Sequence, residues 1–460
     1  MTQCNTKTRL DFHPKFPVDI EFSAPDISSD GGLLLLRQAE DSIGVCEMLA
    51  GLVPDGRDAT RIRHHRVEQM EQRVFQICMG YEDCNDANWL RKSPLWKTVM
   101  GLTPESEEGL SSQPTLSRFE NSVDEQTVEV MHFALMADFV RRLPEDIECL
   151  VLDLDSSAVE GFGEQQELFY NGFHDAHIFH PLMIIDGESG QLITAMLRPG
   201  NVGDARDADK VLEKLIVLIK VLRPNCAVCV RADAGFASPA LYDCLEFFDD
   251  LYGGVYYLFG ISKNSRLKTE LSALTESVRE HDPGGNRPLR QFTTFDYQAG
   301  SWPHERMIAG KAERTGDKDN PRFLVTNLTG FSGRVLYEAY CMRANCELRI
   351  DELKHHLAGH KLSCTNFIAN SFRLLLNVAA YRLMWQIQRT LKELAAQQKA
   401  NAPLRRKLTA LCRARFDTIR LRLLKVGFLI KQSARRVFIQ GSQTFPQADV
   451  FCKMLATPPP

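Results

Sequence analysis

A chain of 460 residues, 44% hydrophobic and 25% charged, has the composition of an ordinary globular protein and is long enough for about three domains at ~150 residues each. No apolar run approaches the ~18 residues of a membrane span, Met1 to Phe16 lacks the apolar core of a signal peptide, and 13 cysteines read as reduced thiols. Secreted, membrane and collagen-like classes are excluded, and a cytoplasmic protein is the expectation.

The formal net charge of −4 conceals an asymmetry. Cys341 to Gln440 holds 20 Lys and Arg against 5 Asp and Glu, while Met1 to Tyr340 carries −19. Within Asn401 to Gln440 there are 11 basic residues and one acid, Asp417. A basic stretch this dense repels itself unless it meets an anion, and a phosphate backbone is the usual one. A solvated charged face is the plainer alternative. A smaller cluster, Arg61, Arg63, His64, His65 and Arg66, opens an expected helix through Val67, Val74 and Ile77.

Along the chain, residues 1–145 read as a mostly helical N-terminal domain. Leu33 to Leu36, Ile43, Val45 and Leu49 form one apolar pattern, with Ser29 or Asp30 as its expected cap. After Pro144 the character changes. Cys149 to Ser156 alternates as a strand, with Leu150, Leu152 and Leu154 on one face and Val151, Asp153 and Asp155 on the other. Pro181 to Ile185 and Gln191 to Met196 flank a turn and predict a hairpin. Asp204 is the expected cap of a helix carrying Val211, Leu215, Leu218 and Leu222 at helical spacing. Cys226 to Asp233 is another strand, Ser238 opens a helix, and Val255 to Ile261 is a third buried strand.

The order strand, hairpin, helix, strand, helix, strand matches a ribonuclease H-like α/β sheet, whose first and fourth strands lie side by side. The expected organisation is a catalytic core over residues 146–261 and 329–395. It is interrupted by a β-rich insertion over 262–328, where Gly284, Gly285, Pro288 and Pro303 break the pattern. A basic helical and β segment follows over 396–460.

Three carboxylates stand out by placement: Asp155 in the first strand, Asp233 at the end of the fourth, and Glu347 in the helix after the insertion. Acids converging from separate elements suit one or two Mg²⁺ ions, which prefer oxygen ligands and serve phosphoryl transfer. Asp153 shares a face with Asp155, and the residues alone leave the choice between them open. On one continuous helix, Tyr340, Arg343, Glu347 and Lys354 would fall on a stripe about 60° wide. That stripe suits a carboxylate on a metal beside cations on phosphates, or else a set of surface ion pairs.

Tyr340-x2-Arg343-x3-Glu347-x6-Lys354 resembles the Y-R-E-K signature of DDE transposases of the insertion-sequence-four group. Longer blocks resemble the insertion-sequence thirteen-eighty family. They are Ser28-Ser-Asp-Gly-Gly-Leu-Leu-Leu-Leu-Arg37, Gly80-Tyr-Glu-Asp-Cys-Asn-Asp86, Gln113-Pro-Thr-Leu-Ser-Arg-Phe-Glu-Asn121, Leu152-Asp-Leu-Asp-Ser156, Leu197-Arg-Pro-Gly-Asn201, Arg231-Ala-Asp-Ala-Gly-Phe236 and Ala369-Asn-Ser-Phe-Arg-Leu-Leu-Leu376. Ala344, Asn345 and Asp351 stand where relatives often carry Gly, Glu and Lys.

The resemblance implies a transposase that binds the terminal inverted repeats of its insertion sequence, cleaves the ends and transfers the 3′ hydroxyls to target DNA. It implies Asp155, Asp233 and Glu347 as catalytic acids and ligands of Mg²⁺, with Mn²⁺ as a substitute. Tyr340, Arg343 and Lys354 would hold DNA backbone near the cut, and Arg61, Arg63 and Arg66 would bind element ends. A homodimer on DNA is the expected assembly. Some relatives free the element through a DNA hairpin with help from a Trp in the insertion; Trp302 lies in that region, with its role open. The alternatives are a catalytically inactive repressor-like relative and a ribonuclease H-like nuclease without strand transfer. Cys226-x2-Cys229 and His174-x2-His177-x2-His180 have metal-like spacing but read as core thiols and a loop, since i and i+3 of a strand face opposite ways.

Overall fold

A computed structural model describes residues 8–24, 26–282, 289–316 and 318–457. The expected breakers Gly284, Gly285 and Pro288 lie outside the described residues. The chain divides into two compact units, one made of residues 51–54 and 120–382, the other of residues up to 50, 55–119 and 383–460.

The first unit is built on a mixed, nine-stranded sheet. Its central strands are β1 (Cys149–Ser156), β2 (Leu182–Asp186), β3 (Leu192–Met196), β4 (Ala227–Ala232) and β5 (Val255–Ile261). Helices α1 (Glu125–Arg141), α2 (Ala208–Leu222) and α3 (Pro239–Tyr252) pack on this sheet. The central order is β3-β2-β1-β4-β5. β1 and β4 are parallel neighbours, β4 and β5 likewise, and β2 runs antiparallel to β1. The expected adjacency of the first and fourth strands is therefore present.

Alternation explains β1. Leu150, Leu152 and Leu154 are buried in one core with Val228 and Val230 of β4 and Leu215 and Ile219 of α2. Each such side chain contributes about 1.5–3 kcal/mol by leaving water. The opposite face of β1 is covered too, so Asp153 is buried and a buried carboxylate requires a partner. The sheet register supplies it, since Arg231 of β4 lies opposite Asp153. The guanidinium grips both oxygens, Nε to Oδ1 at 2.7 Å and Nη2 to Oδ2 at 2.8 Å.

Three local expectations change. α2 starts at Ala208, after Asp207 in a left-handed conformation (φ 60°) that makes no side-chain cap, so Asp204 does not cap it. The buried stripe of α2 is Val211, Leu212, Leu215, Ile216 and Ile219, shifted from the expected Leu218 and Leu222. His177 lies in a strand, Ala176–Phe179, rather than a loop, paired with Val159–Glu160 and Phe169–Asn171.

The segment expected as a β-rich insertion holds strands and also helices. It begins with two short helices, Ser265–Glu270 and Ser272–His281, before β6 (Arg290–Tyr297), β7 (Arg306–Thr315) and β8 (Arg322–Thr326). These strands extend the central sheet in the order β6-β7-β8-β5. The physical reason lies in β5: its outer edge would present unpaired backbone groups, and antiparallel pairing with β8 covers it.

The following helix is interrupted as well. α4 (Gly333–Cys341) ends before Arg343, α5 (Ala344–Asp351) restarts there, and Glu352–His356 forms a wider π turn. A single 100° wheel through Tyr340 and Lys354 does not hold across two breaks, so the expected stripe is corrected to three segments.

In the second unit, helices Leu33–Ile43 and Arg66–Met79 are joined by Ala402–Cys412 and Ala448–Leu455 from the C-terminal segment. Strand Phe428–Gln432 pairs with both Ile27–Ser28 and Val437–Gly441. Asp30 does not cap the first helix, whose N-cap is Gly32. It is buried instead, accepting from Trp96 Nε1 at 2.8 Å, Tyr81 Oη at 3.1 Å and Lys425 Nζ at 2.9 Å. Gly31 and Gly32 are required by close approach: a Cβ would fall 2.0 Å from the Phe428 ring and 2.2 Å from Leu424 Cα. Among the described residues no disulfide bond is formed, and no helix is long and apolar enough to cross a membrane.

Candidate active site

Parallel pairing of β1 with β4 brings the carboxyl ends of both strands to one edge of the sheet, where catalytic groups tend to gather in open α/β sheets. Asp155 lies near the end of β1, and Asp233 is the first residue after β4. Asp155 Oδ1 accepts from the Ser156 amide at 2.8 Å. Asp233 Oδ1 accepts from the Gly235 amide at 2.9 Å and so caps the short turn Ala234–Phe236. Arg343, in the break between α4 and α5, reaches both carboxylates with one nitrogen. Its Nη2 is 2.8 Å from Asp155 Oδ2 and 3.7 Å from Asp233 Oδ2. The two aspartates thus face a shared cation from neighbouring strand ends.

Electrostatics at this point are strained. Burial pushes the Asp155 carboxyl up to about 6; Arg343 opposes the shift, and the Asp233 and Asp204 carboxylates add to it. The site would gain from additional positive charge, because two carboxylates here are balanced by one guanidinium.

The other signature residues are placed differently. Tyr340 lies over β5, where its hydroxyl is 2.9 Å from the position a Cβ would take on Gly260. The Ala234 amide nitrogen is 3.1 Å from the same point, so Gly260 makes room for Tyr340 beside the turn after Asp233. Lys354 donates to Ser157 Oγ at 2.8 Å and to the Ala158 carbonyl at 2.7 Å, which ties the π turn to the segment following Asp155. Glu347 is exposed one turn beyond Arg343, and its carboxylate makes no hydrogen bond or ion pair among the described residues. The structure therefore brings together Asp155, Asp233 and Arg343, while Glu347 is not joined to them. Among the described residues no three His, Cys, Asp or Glu side chains are grouped closely enough to hold a metal ion.

Asp153 and Asp155 differ in their surroundings: Asp153 is committed to Arg231 in the sheet interior, and Asp155 faces Arg343 at the strand end. Trp302 is buried at 7% exposure against Tyr242, Tyr297 and Arg306, a core position. In the second unit Arg61 and Arg63 are exposed, whereas Arg66 packs on Phe119 and lies 3.8 Å from Asp55. Sequence reasoning missed Asp204 and Gly260. The first was assigned to a helix cap, although it follows the Leu197 to Asn201 block by three residues; a lone glycine in a buried strand was the only signal for the second.

A family model described as "Transposase DDE domain group 1" matches residues 12–457. A search of curated proteins gives no match. Among solved structures, the chain is similar to one in the cryo-EM structure of the piggyBac transposase synaptic complex with hairpin DNA. The two are 11% identical, with 95% of this chain and 88% of that chain covered and a TM-score of 0.43.

Proposed function

Because the chain belongs to the DDE-domain transposases of group 1, we propose that it is a DNA transposase of the insertion-sequence thirteen-eighty type with a ribonuclease H-like catalytic core. It binds the terminal inverted repeats of its element, cuts the ends and joins the freed 3′ hydroxyls to target DNA. The observation that carries the reading is the meeting of Asp155 and Asp233, from adjacent parallel strand ends, on one Arg343 nitrogen.

The residues fit a hard divalent cation. Both aspartates offer only oxygen donors, and Glu347 keeps an unengaged carboxylate one helical turn from Arg343. Asp155 and Asp233 would hold Mg²⁺ (or Mn²⁺ in its place), with Glu347 as the third acid once it swings toward them, and the ion would supply activation of the attacking oxygen and stabilisation of the leaving one. In the first step a water oxygen attacks the phosphorus at the element end. A P–O bond forms as the P–O3′ bond breaks, the water gives up a proton to solvent, and the leaving 3′ oxygen takes up a proton from solvent to become a hydroxyl. In the second step that 3′ hydroxyl attacks a target phosphodiester in line, releasing a target 3′ hydroxyl.

Arg343 offsets the aspartate charges and donates toward phosphate oxygens as the strand enters. Lys354 holds the segment after Asp155, and Tyr340 borders the turn after Asp233. The basic residues of 401–440, with Arg61, Arg63 and Arg66, supply the phosphate-binding surface, and a homodimer brings two ends together. The test incubates purified protein with labelled duplex carrying the element ends and Mg²⁺, beside D233N. Cleavage and joined products from the parent alone support the proposal. Binding without cleavage by either protein, or nicking with no joined product, refutes it.

A further inference from the structure

Asp204 stands beside this site without being one of its three acids. Its carboxylate touches both aspartate-bearing segments. Ser156, whose amide holds Asp155 Oδ1, donates its hydroxyl to Asp204 Oδ1. On the other side Asp204 packs on Gly235, whose amide holds Asp233 Oδ1: a Cβ on Gly235 would lie 2.0 Å from Asp204 Oδ2 and 2.7 Å from Cγ. His180 Nε2 lies 3.3 Å from Asp204 Oδ1. The main chain is pinned as firmly. Arg198, 2% exposed, donates to the carbonyls of Asp204 at 2.8 Å and Arg206 at 2.6 Å through Nη1, and to that of His180 at 2.8 Å through Nε. A partly exposed carboxylate with this many fixed neighbours has a set position rather than a free rotamer.

We propose that Asp204 is a positioning residue that fixes Asp155 and Asp233 relative to one another, by bridging the residue after the first to the turn that orients the second. This rests on the reading of Asp155 and Asp233 as catalytic acids. It explains why position 235 is glycine, since any side chain there would displace the Asp204 carboxylate. Asp204 is not required to touch DNA or a metal ion; its effect passes through Ser156 and Gly235. Residues that orient metal-holding groups in this way typically change metal affinity or activity 10–100-fold when replaced.

The test uses the full chain as parent, D204A, D204N, G235A and the D204A/G235A double variant, with D155N beside them. Mn²⁺ binding is measured by titration calorimetry without DNA, cleavage of labelled element ends at saturating DNA, and melting temperature by calorimetry. Expected are a loss of about 10-fold or more in Mn²⁺ affinity and in kcat for D204A, with KM for DNA and the melting temperature near the parent. D204N keeps an acceptor for Ser156 and recovers most of the loss. G235A matches D204A, and the double variant is no worse than D204A alone, because both changes remove one contact. D204A within twofold of the parent in both readouts overturns the proposal, as do additive losses in the double variant. Should D204A fail to fold, G235A and D204N decide: Mn²⁺ affinity at the parent level in G235A overturns it. D155N separates the two claims, since cleavage by D155N at the parent rate refutes the catalytic reading whatever Asp204 does.

Discussion

Two aspartates two residues apart on one strand are assigned opposite work, and substitution separates them. In D153A the Arg231 guanidinium, buried at 5% side-chain exposure, loses both of its carboxylate hydrogen bonds at 2.7 and 2.8 Å. It keeps only its donation to the Ala339 carbonyl at 2.7 Å. Breaking a buried pair by removing one partner costs about 3–5 kcal/mol, because the remaining charge is left uncompensated. At roughly 2–4 °C per kcal/mol for units of a few hundred residues, the melting temperature should fall by about 6–20 °C. D153N retains one acceptor and should lie between D153A and the parent. D155N keeps an acceptor for the Ser156 amide and leaves Arg343 beside Asp233, so it should melt within a few degrees of the parent while losing most of its cleavage. Differential scanning calorimetry and a single-turnover cleavage assay on the same preparations read both quantities. A D153A protein that melts with the parent but does not cleave would reverse the assignment. So would a D155N protein that cleaves normally.

Three further outcomes follow from the same geometry. Glu40, pushed up to about 7 chiefly by burial, accepts from the Cys46 and Glu47 amides. The folded state therefore binds more protons than the unfolded state between about pH 4.5 and 7, and stability falls as pH rises through that window. E40Q should be more stable than the parent at pH 8 by about 1–3 kcal/mol, with the difference vanishing near pH 4.5; parallel pH–stability curves would count against it. W302A should cost about 3–5 kcal/mol as a core truncation and leave the pattern of cleavage products unchanged. A variant of normal stability with altered second-strand products would place Trp302 on DNA. G260A sets a Cβ 2.9 Å from the Tyr340 hydroxyl and 3.1 Å from the Ala234 amide. It should destabilise by about 1–3 kcal/mol and slow cleavage, whereas parent-level cleavage would detach Tyr340 from the site.

The central strands were legible in the sequence because buried strands announce themselves. The alternation of Leu150, Leu152 and Leu154 identified β1, and the Asp186 to Gly190 turn identified the hairpin. The pairing of the first and fourth strands followed from element order, a rule of topology rather than of local propensity. Where reading failed, the deciding contact was distant in sequence. Asp30 has a helix-capping composition, yet Trp96, Tyr81 and Lys425 claim it. The wheel through Tyr340 and Lys354 assumed an unbroken helix, and neither the break at Arg343 nor the π turn at Glu352–His356 leaves a periodicity signal. Asp153 and Asp155 look equivalent on a strand pattern; only the register that sets Arg231 opposite Asp153 tells them apart. Glu347 was readable as part of a signature, while its separation from the aspartates was not.

The account turns on two strand-end aspartates sharing a divalent cation beside Arg343. Anomalous scattering from crystals soaked in Mn²⁺ tests this most directly. The account predicts a peak at coordination distance, roughly 2.1 Å, from carboxylate oxygens of both Asp155 and Asp233, with the Arg343 guanidinium drawn back. Well-occupied Mn²⁺ elsewhere on the protein, with Asp155 and Asp233 still paired to Arg343, would contradict it.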